Sequence, residues 1–435
     1  MLGERVLLIH PGIYDDVDPR AFPPWGALTI GHALRAVGHE VRVLDLNGQD
    51  VAASLDAELV VAPPTVVGFT AKQGVGARRF RAAVDHLRAV APGVPIIAGG
   101  PLVSTFPDPA SPIWRGVRTI FLGDGEQALV SWLADRSRPA GLVHGAEPIS
   151  LDDVGVPSWW PELPGYVHPA RSWPNMGVPG IHVASARGCT RRCTFCYLNA
   201  QYPGARFRFV SAARLHTDLW SLNSATGARG FYFVDDCFID RAQERVREFC
   251  ARMIADGAPF RFGCDVQLTD LERYPDLLAL MYRAGFRSLY VGVESAAPET
   301  RKRLAKGVLR AAATDVLNRA LDTGYVLRAS IGIGWPGETG AHARQTLALI
   351  DAVPRLAFDA YRYYPLPHTP LGERGRWAAA RARMSAEEFA ETAFQDYSDH
   401  NDDYSEIPAA EYAELWARLR EREGERLAAY FALGH

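Results

Sequence analysis

Two kinds of stretch alternate along this chain: short apolar runs, and longer stretches whose apolar positions recur every three to four residues. Over the first 135 residues the short runs fall at 6–9, 40–44, 65–69, 95–98 and 118–122 and predict strands. Helical spacing at 25–37, 76–90 and 126–134 separates them. A second alternation of longer period predicts strands at 181–186, 230–234, 260–266, 288–293, 326–333 and 358–364, with helices such as 241–254 and 314–323 between them. Strands spaced by helices argue for parallel sheets covered on both faces. The second series has six such units, too few to close an eight-stranded barrel.

Between the two alternations, residues 136–180 carry Pro139, Pro148, Pro157, Pro161, Pro164, Pro169, Pro174 and Pro179. That density blocks continuous helix and sheet and reads as a linker. The tail from about Ser385 is helical, and Arg418 to Arg426 forms a solvated charged face.

In parallel sheets ligands bind at the carboxyl ends of the strands. In the first series these ends are Pro11-Gly12, Gly68-Phe69-Thr70, Gly99-Gly100-Pro101 and Gly123-Asp124-Gly125-Glu126. Each alone is also an ordinary turn. Four at one sheet edge, where glycine lets backbone approach a ligand, point to a binding site. The second series ends in polar groups: Asp235-Asp236, Cys264-Asp265-Val266-Gln267, Gly292-Val293-Glu294-Ser295, and Arg328 to Glu338 through Ser330, Gly334 and Trp335. A carboxylate there is costly to desolvate without a partner. Each also suits capping of the helix that follows.

At 435 residues the chain exceeds one ordinary core, and 48% hydrophobic with 22% charged residues is a globular composition. A net charge of −3 gives no reason to expect nucleic acid. No apolar run approaches the roughly 18 residues of a membrane span, and the first residues read as a strand rather than a signal peptide. Three of the six cysteines crowd into one loop, which is no disulfide framework and suits a reducing cytoplasm.

That loop is Arg187-Gly188-Cys189-Thr190-Arg191-Arg192-Cys193-Thr194-Phe195-Cys196-Tyr197, spaced Cys-x3-Cys-x2-Cys behind a half-apolar strand. Gly188 permits the tight entry that would turn three thiols inward. Structural zinc and fully thiolate-ligated clusters both take four ligands. Three suggest a cluster with one open iron; a zinc knuckle, and with it a binding module without turnover, remains the alternative. Cys250 reads as buried packing, Cys237 and Cys264 lie near strand ends, and Lys306 reads as solvated.

The loop, its strand and the aromatic residues beside the third cysteine resemble the radical S-adenosylmethionine (SAM) superfamily. The Gly-Val-Glu-Ser and Gly-Trp-Pro-Gly-Glu-Thr stretches resemble it too, as do Lys306-Gly307 and the stretch from Tyr363-Tyr364-Pro365 to Gly372. The first series resembles the cobalamin-binding domain ahead of many such enzymes. That likeness is carried by Phe22-Pro23-Pro24-Trp25-Gly26-Ala27-Leu28, Gly38 to Asp45, Gly99-Gly100-Pro101 and Gly123 to Glu126. The Asp-x-His-x-x-Gly motif that lends cobalt a histidine is absent, the corresponding region reading Asp45-Leu46-Asn47-Gly48.

The resemblance implies a Rossmann-like doubly wound domain over 1–140, a linker over 141–178, a partial (β/α)6 barrel over 179–375 and a helical region over 376–435. It implies that Cys189, Cys193 and Cys196 hold a 4Fe–4S cluster. Phe195, Tyr197, Asp235, Asp236, Glu294, Ser330 and Gly334 would contact SAM, Asp235 ahead of Asp236 on its amino group and Glu294 on its ribose. Pro11, Gly12, Thr70, Gly99, Gly100, Pro101, Gly123, Asp124, Gly125 and Glu126 would line cobalamin. The implied activity is methyl transfer from SAM through methylcobalamin to an unactivated carbon of a small molecule, with a flavodoxin or ferredoxin as one-electron donor. Ring formation, ring contraction or carbon–carbon or carbon–sulfur coupling with the same cofactors is the alternative.

Overall fold

Both alternations become six-stranded parallel sheets. The computed structural model describes residues 3–12, 22–135, 137–145, 150–170, 176–198, 207–239, 242–363, 366–374, 383, 385–388 and 406–432. Pro148, Pro174, Arg241, Tyr364, Pro365 and the tail over 389–405 lie outside them. Met1–Tyr166 makes up most of one compact unit; Val167–Asn199, Arg206–Trp377 and Asp396–His435 make up the other.

The first sheet contains β1 (Arg5–His10), β2 (Glu40–Asp45), β3 (Val66–Thr70), β4 (Ile96–Gly99), β5 (Thr119–Leu122) and β6 (Gly141–His144). Its spatial order is β2-β1-β3-β4-β5-β6. The apolar run of β1 divides with period two. Leu7 and Ile9 join Phe69, Phe80 and Trp114 on one face, while Val6 and Leu8 join Leu34, Phe121 and Trp132 on the other. Helices Trp25–Ala36 and Glu126–Ala134 cover the second face and Val75–Val90 the first. A strand buried on both sides reads as a continuous apolar run, which is why it was recognisable. The chain reverses its strand order at β1, which lies between β2 and β3.

Two elements depart from expectation. β6 lies in the stretch expected to be linker, and the unit continues to Tyr166, so the linker does not begin at 141. Residues 150–166 fold back on this unit: Trp159 Nε1 donates to Leu28 O at 3.3 Å, with the Arg35 guanidinium 4.7 Å above its ring. Tyr166 donates its hydroxyl to Asp45 Oδ2 at 2.5 Å. The helix Val51–Val61 escaped the periodicity because it is apolar nearly all round; its signal was Asp50, which accepts from Ala53 N at 2.8 Å as an N-cap.

The second sheet runs β14-β13-β12-β11-β10-β7. Its strands are β7 (Gly180–Val183), β10 (Gly230–Phe233), β11 (Arg261–Gln267), β12 (Phe286–Glu294), β13 (Val326–Ile333) and β14 (Ala357–Arg362). β8 (Ala186–Arg187) and β9 (Arg208–Phe209) form a small antiparallel ribbon. One sheet face buries Phe231, Phe233, Phe262 and Phe286 beneath helices, with Phe249 of Gln243–Ala255 edge-on to Phe262. The alternate positions His182, Tyr232, Asp265, Tyr290 and Arg328 are half-buried and polar, so the half-barrel interior is not a dry core. The outer edge of β14 is covered by Ala409–Ala432, whose Glu423 accepts from Ala360 N at 2.7 Å. Among the described residues no helix is long and apolar enough to cross a membrane.

Candidate functional site

The three-cysteine loop is held at both ends. Where the chain leaves β7, Ser185 N and Ala186 N donate to Asp235 Oδ1 at 2.6 and 2.7 Å, and Ser185 Oγ donates to Asp235 Oδ2 at 2.6 Å. Arg245 braces the same turn, donating to Ser185 Oγ at 2.6 Å. Gly188 enters the loop with φ +80°, the left-handed region that glycine adopts freely. Farther on, Arg191 pairs with the fully buried Asp270, and Thr194 N donates to Leu304 O at 3.1 Å.

Cys193 is buried, and Cys189 and Cys196 are half-buried. Burial pushes the Cys196 thiol up to about 12, helped by the charges of Cys193, Asp236 and Cys189. Cys193 is also raised, by burial first, with Lys306 acting against it. Among the described residues no three His, Cys, Asp or Glu side chains already stand in a metal-holding arrangement. The donor set itself, three thiols on one anchored loop, suits a cluster that leaves one iron to another ligand.

Asp235 and Asp236 turn out to have different occupations. Asp235, the first choice for the SAM amino group, is 1% exposed and accepts from Ser185 and Ala186. Asp236 is exposed, yet desolvation and the neighbouring Asp235 push its carboxyl up to about 7 while the Gly188 N–H pulls it down. It lies beside the start of the loop and within electrical reach of Cys196.

Glu294 ends β12 with φ +64°, a conformation uncommon outside glycine. It is buried, accepting from Lys306 Nζ at 2.8 Å, from Ser330 Oγ at 2.9 Å and from the Tyr361 hydroxyl. A carboxylate offers about four acceptor sites, so roughly one remains for a ribose. Lys306 is not solvated: its side chain is 2% exposed and also donates to Gln267 Oε1 at 2.6 Å. Burial alone would lower its pKa, but Glu294 and Cys193 more than offset this and raise it. Removing one member of such a buried pair costs about 3–5 kcal/mol.

Phe195 packs on Trp335 with centroids 4.9 Å apart, and Tyr197 is half-buried at the end of the loop. Gly334 N donates to Glu338 Oε2 at 2.8 Å. Glu338, overlooked as a site residue, is 2% exposed and pushed to about 7 by burial, against the pull of the Gly334 and Trp335 N–H groups. It ties down the turn after β13. Cys237, Cys250 and Cys264 are all fully buried, so neither Cys237 nor Cys264 presents a surface to a substrate.

At the first sheet's carboxyl edge, Pro11 O accepts from Arg79 Nε at 2.7 Å, fixing the Pro11-Gly12 turn. Thr70, Gly99, Gly100, Pro101, Asp124 and Gly125 are half-buried and Gly123 is exposed. Glu126 is buried in the first turn of its helix, where the macrodipole favours an anion. Gly100 has φ +95°, and a Cβ there would stand 2.8 Å from Ala71 O, so its glycine answers first to the neighbouring strand end. Gly99 is roomier, the nearest atom to a Cβ being at 3.8 Å.

Sequence reasoning missed two residues at this edge. His10 ends β1, 5% exposed, with Nδ1 3.1 Å from Asp45 Oδ1. Lys72, just beyond β3, has no hydrogen-bond or ion-pair partner among the described residues, and burial lowers its pKa. Both lie where strand order reverses, the usual place for a ligand in such sheets. An open glycine edge with an unpaired cation fits a large ligand bearing amides and a phosphate, as a corrin with its nucleotide tail does.

Known proteins resemble this chain along most of its length. Residues 18–133 match the B12 binding domain, and residues 183–350 match the radical SAM superfamily. An uncharacterized methyltransferase of Pyrococcus horikoshii is 24% identical over 372 residues, covering 81% of this chain and 78% of the relative. An anaerobic magnesium-protoporphyrin IX monomethyl ester cyclase of Rubrivivax gelatinosus is 24% identical over 397 residues, covering 84% and 69%. The fold superimposes on TsrM, a radical SAM methyltransferase of Kitasatospora setae solved with tryptophan and a SAM analogue, with TM-score 0.70 and 19% identity. That alignment covers 96% of this chain and 89% of the other.

Proposed function

We propose that this chain, a B12-binding domain followed by a radical SAM domain, transfers a methyl group from SAM to an unactivated carbon of a small molecule. The observation that carries the reading most is the anchored three-cysteine loop with the open carboxylate of Asp236 beside its entry. When bound, the cluster supplies the electron that cleaves SAM, and the corrin carries the methyl group.

The chain's own residues have separable tasks. Cys189, Cys193 and Cys196 provide thiolates. Asp236 pairs with the SAM ammonium, a charge-assisted contact worth about 1.5–3 kcal/mol. Glu294, held by Lys306, Ser330 and Tyr361, offers its remaining acceptor site to the ribose. Phe195 on Trp335 gives an apolar shelf for the adenine. Gly99 and the exposed Gly123 admit the corrin edge, with Asp124 and Thr70 beside them. All six cysteines are free of disulfides, which suits a reducing cytoplasm with a flavodoxin or ferredoxin as donor.

The cyclase relatives favour a second reading, ring formation with the same cofactors. Anaerobically reconstituted protein given SAM with a deuterated methyl group separates the two. Label appearing on protein-bound corrin supports methyl transfer. Formation of 5′-deoxyadenosine with an unlabelled corrin supports ring formation, and failure to retain iron sinks both.

A further inference from the structure

The edge of the first sheet holds a polar cluster that the strand-end motifs do not include. His10 and Asp45 are the last residues of β1 and β2 and face one another in register. Asp45 is itself fixed from three directions: by the Tyr166 hydroxyl at 2.5 Å, by Asn47 N at 3.0 Å and by Asn47 Nδ2 at 3.3 Å. The His10 ring therefore cannot turn freely. Its Nδ1 lies 3.1 Å from Asp45 Oδ1 and 3.5 Å from Asn47 Nδ2. With Nδ1–H donating to the carboxylate, Nε2 carries the lone pair, and among the described residues it has no partner.

A core histidine at the end of an apolar strand ordinarily has both nitrogens satisfied. One nitrogen held by a carboxylate, with the other bare, is the arrangement of a metal-ligating imidazole. The carboxylate sets the tautomer and ring angle and makes the free nitrogen more basic. The position supports the same end, since β1 is the strand at which the order reverses.

We propose that His10, positioned by Asp45 and Tyr166, donates Nε2 as an axial ligand to the cobalt of a corrin bound on the first unit. This rests on reading that unit as a B12-binding domain. The ligand comes from the end of β1 and not from the absent Asp-x-His-x-x-Gly motif. Binding is a ligand exchange: the imidazole lone pair replaces a water or the corrin's own tail base, with no electron gained or lost.

The test uses the full chain loaded with hydroxocobalamin, reduced to the cobalt(II) state and read by electron paramagnetic resonance. An axial nitrogen splits the cobalt lines into triplets. Protein grown with ¹⁵N-histidine should turn these into doublets, and His10→Ala and His10→Gln should remove the histidine splitting while the protein still takes up cobalamin. Asp45→Asn, a change in positioning, should weaken cobalamin binding about 10- to 100-fold. A triplet unchanged by the label means that the tail base ligates, and no nitrogen splitting means water or an empty face. A doublet that survives in both His10 variants means another histidine. Each of these overturns the proposal while leaving the B12 reading intact. Failure of the wild type to take up cobalamin overturns both.

Discussion

The chain builds two six-stranded parallel sheets and furnishes their carboxyl edges in opposite ways. On the first, both faces are covered by helices, and the edge is glycine-rich, with His10 and Lys72 as its open chemistry. On the second, the half-barrel turns its polar face inward and the edge is crowded with acids. Most of those acids are occupied: Asp235 by the turn after β7, Glu294 by Lys306, Ser330 and Tyr361, and Glu338 by the turn after β13. The lesson is that a carboxylate at a strand end is first a candidate for holding its own loop. Of these acids Asp236 is left exposed, while Glu294 keeps about one acceptor site open.

The largest effect should come from treating the two edges as independent. Replacing Cys189, Cys193 and Cys196 by alanine should remove essentially all cluster iron while cobalamin uptake stays at the wild-type level. Iron and cobalt measured on the same reconstituted sample check this. A full complement of iron in the triple variant would end the cluster assignment.

Next in size is the contrast between neighbours. Asp236→Asn should weaken SAM binding about 10- to 100-fold, as loss of one charge-assisted contact implies, with little change in melting temperature. Asp235→Asn turns an amide N–H₂ toward donors and should cost about 1–3 kcal/mol of stability. SAM titrations and thermal melts of both variants decide it: the reverse pattern would return the amino-group role to Asp235.

The smallest effect is a pH signature in the occupied class. The Glu338 carboxyl lies near 7 in the folded chain, raised from about 4.5 chiefly by burial. A raised carboxyl favours folding while protonated, so its contribution is fully present below about 4.5 and is lost as pH rises through about 7. Glu338→Gln should abolish that part of the decline, leaving a melting temperature flatter than wild type between pH 5 and 7 by roughly 1–3 kcal/mol equivalent. Parallel slopes in the two proteins would show that Glu338 does not carry it.

Much of this was legible in the residues. β1, β3 and β12 are apolar runs that could be little else, and the cysteine spacing with Gly188 marked the loop. What escaped has physical reasons. Asp235 and Asp236 are adjacent, and no periodicity tells which will meet a returning backbone. Lys306 looked solvated because its partner Glu294 is twelve residues away and reaches it through a left-handed turn. β6 is four residues long with no clear alternation, and His10 meets Asp45 only through strand order.

The bond from Ala360 N to Glu423 has a meaning beyond local packing. An open half-barrel necessarily ends in a strand with unspent backbone groups, and such edges recruit other chains. By laying Ala409–Ala432 along β14, the fold answers one of those groups with a carboxylate inside the same molecule. A chain cut before residue 409 would keep every residue assigned to its cofactors and still expose an adhesive margin. Concentration-dependent precipitation of such a truncated chain is the expected outcome, since the helix also buries Tyr412, Leu415, Trp416 and Leu419.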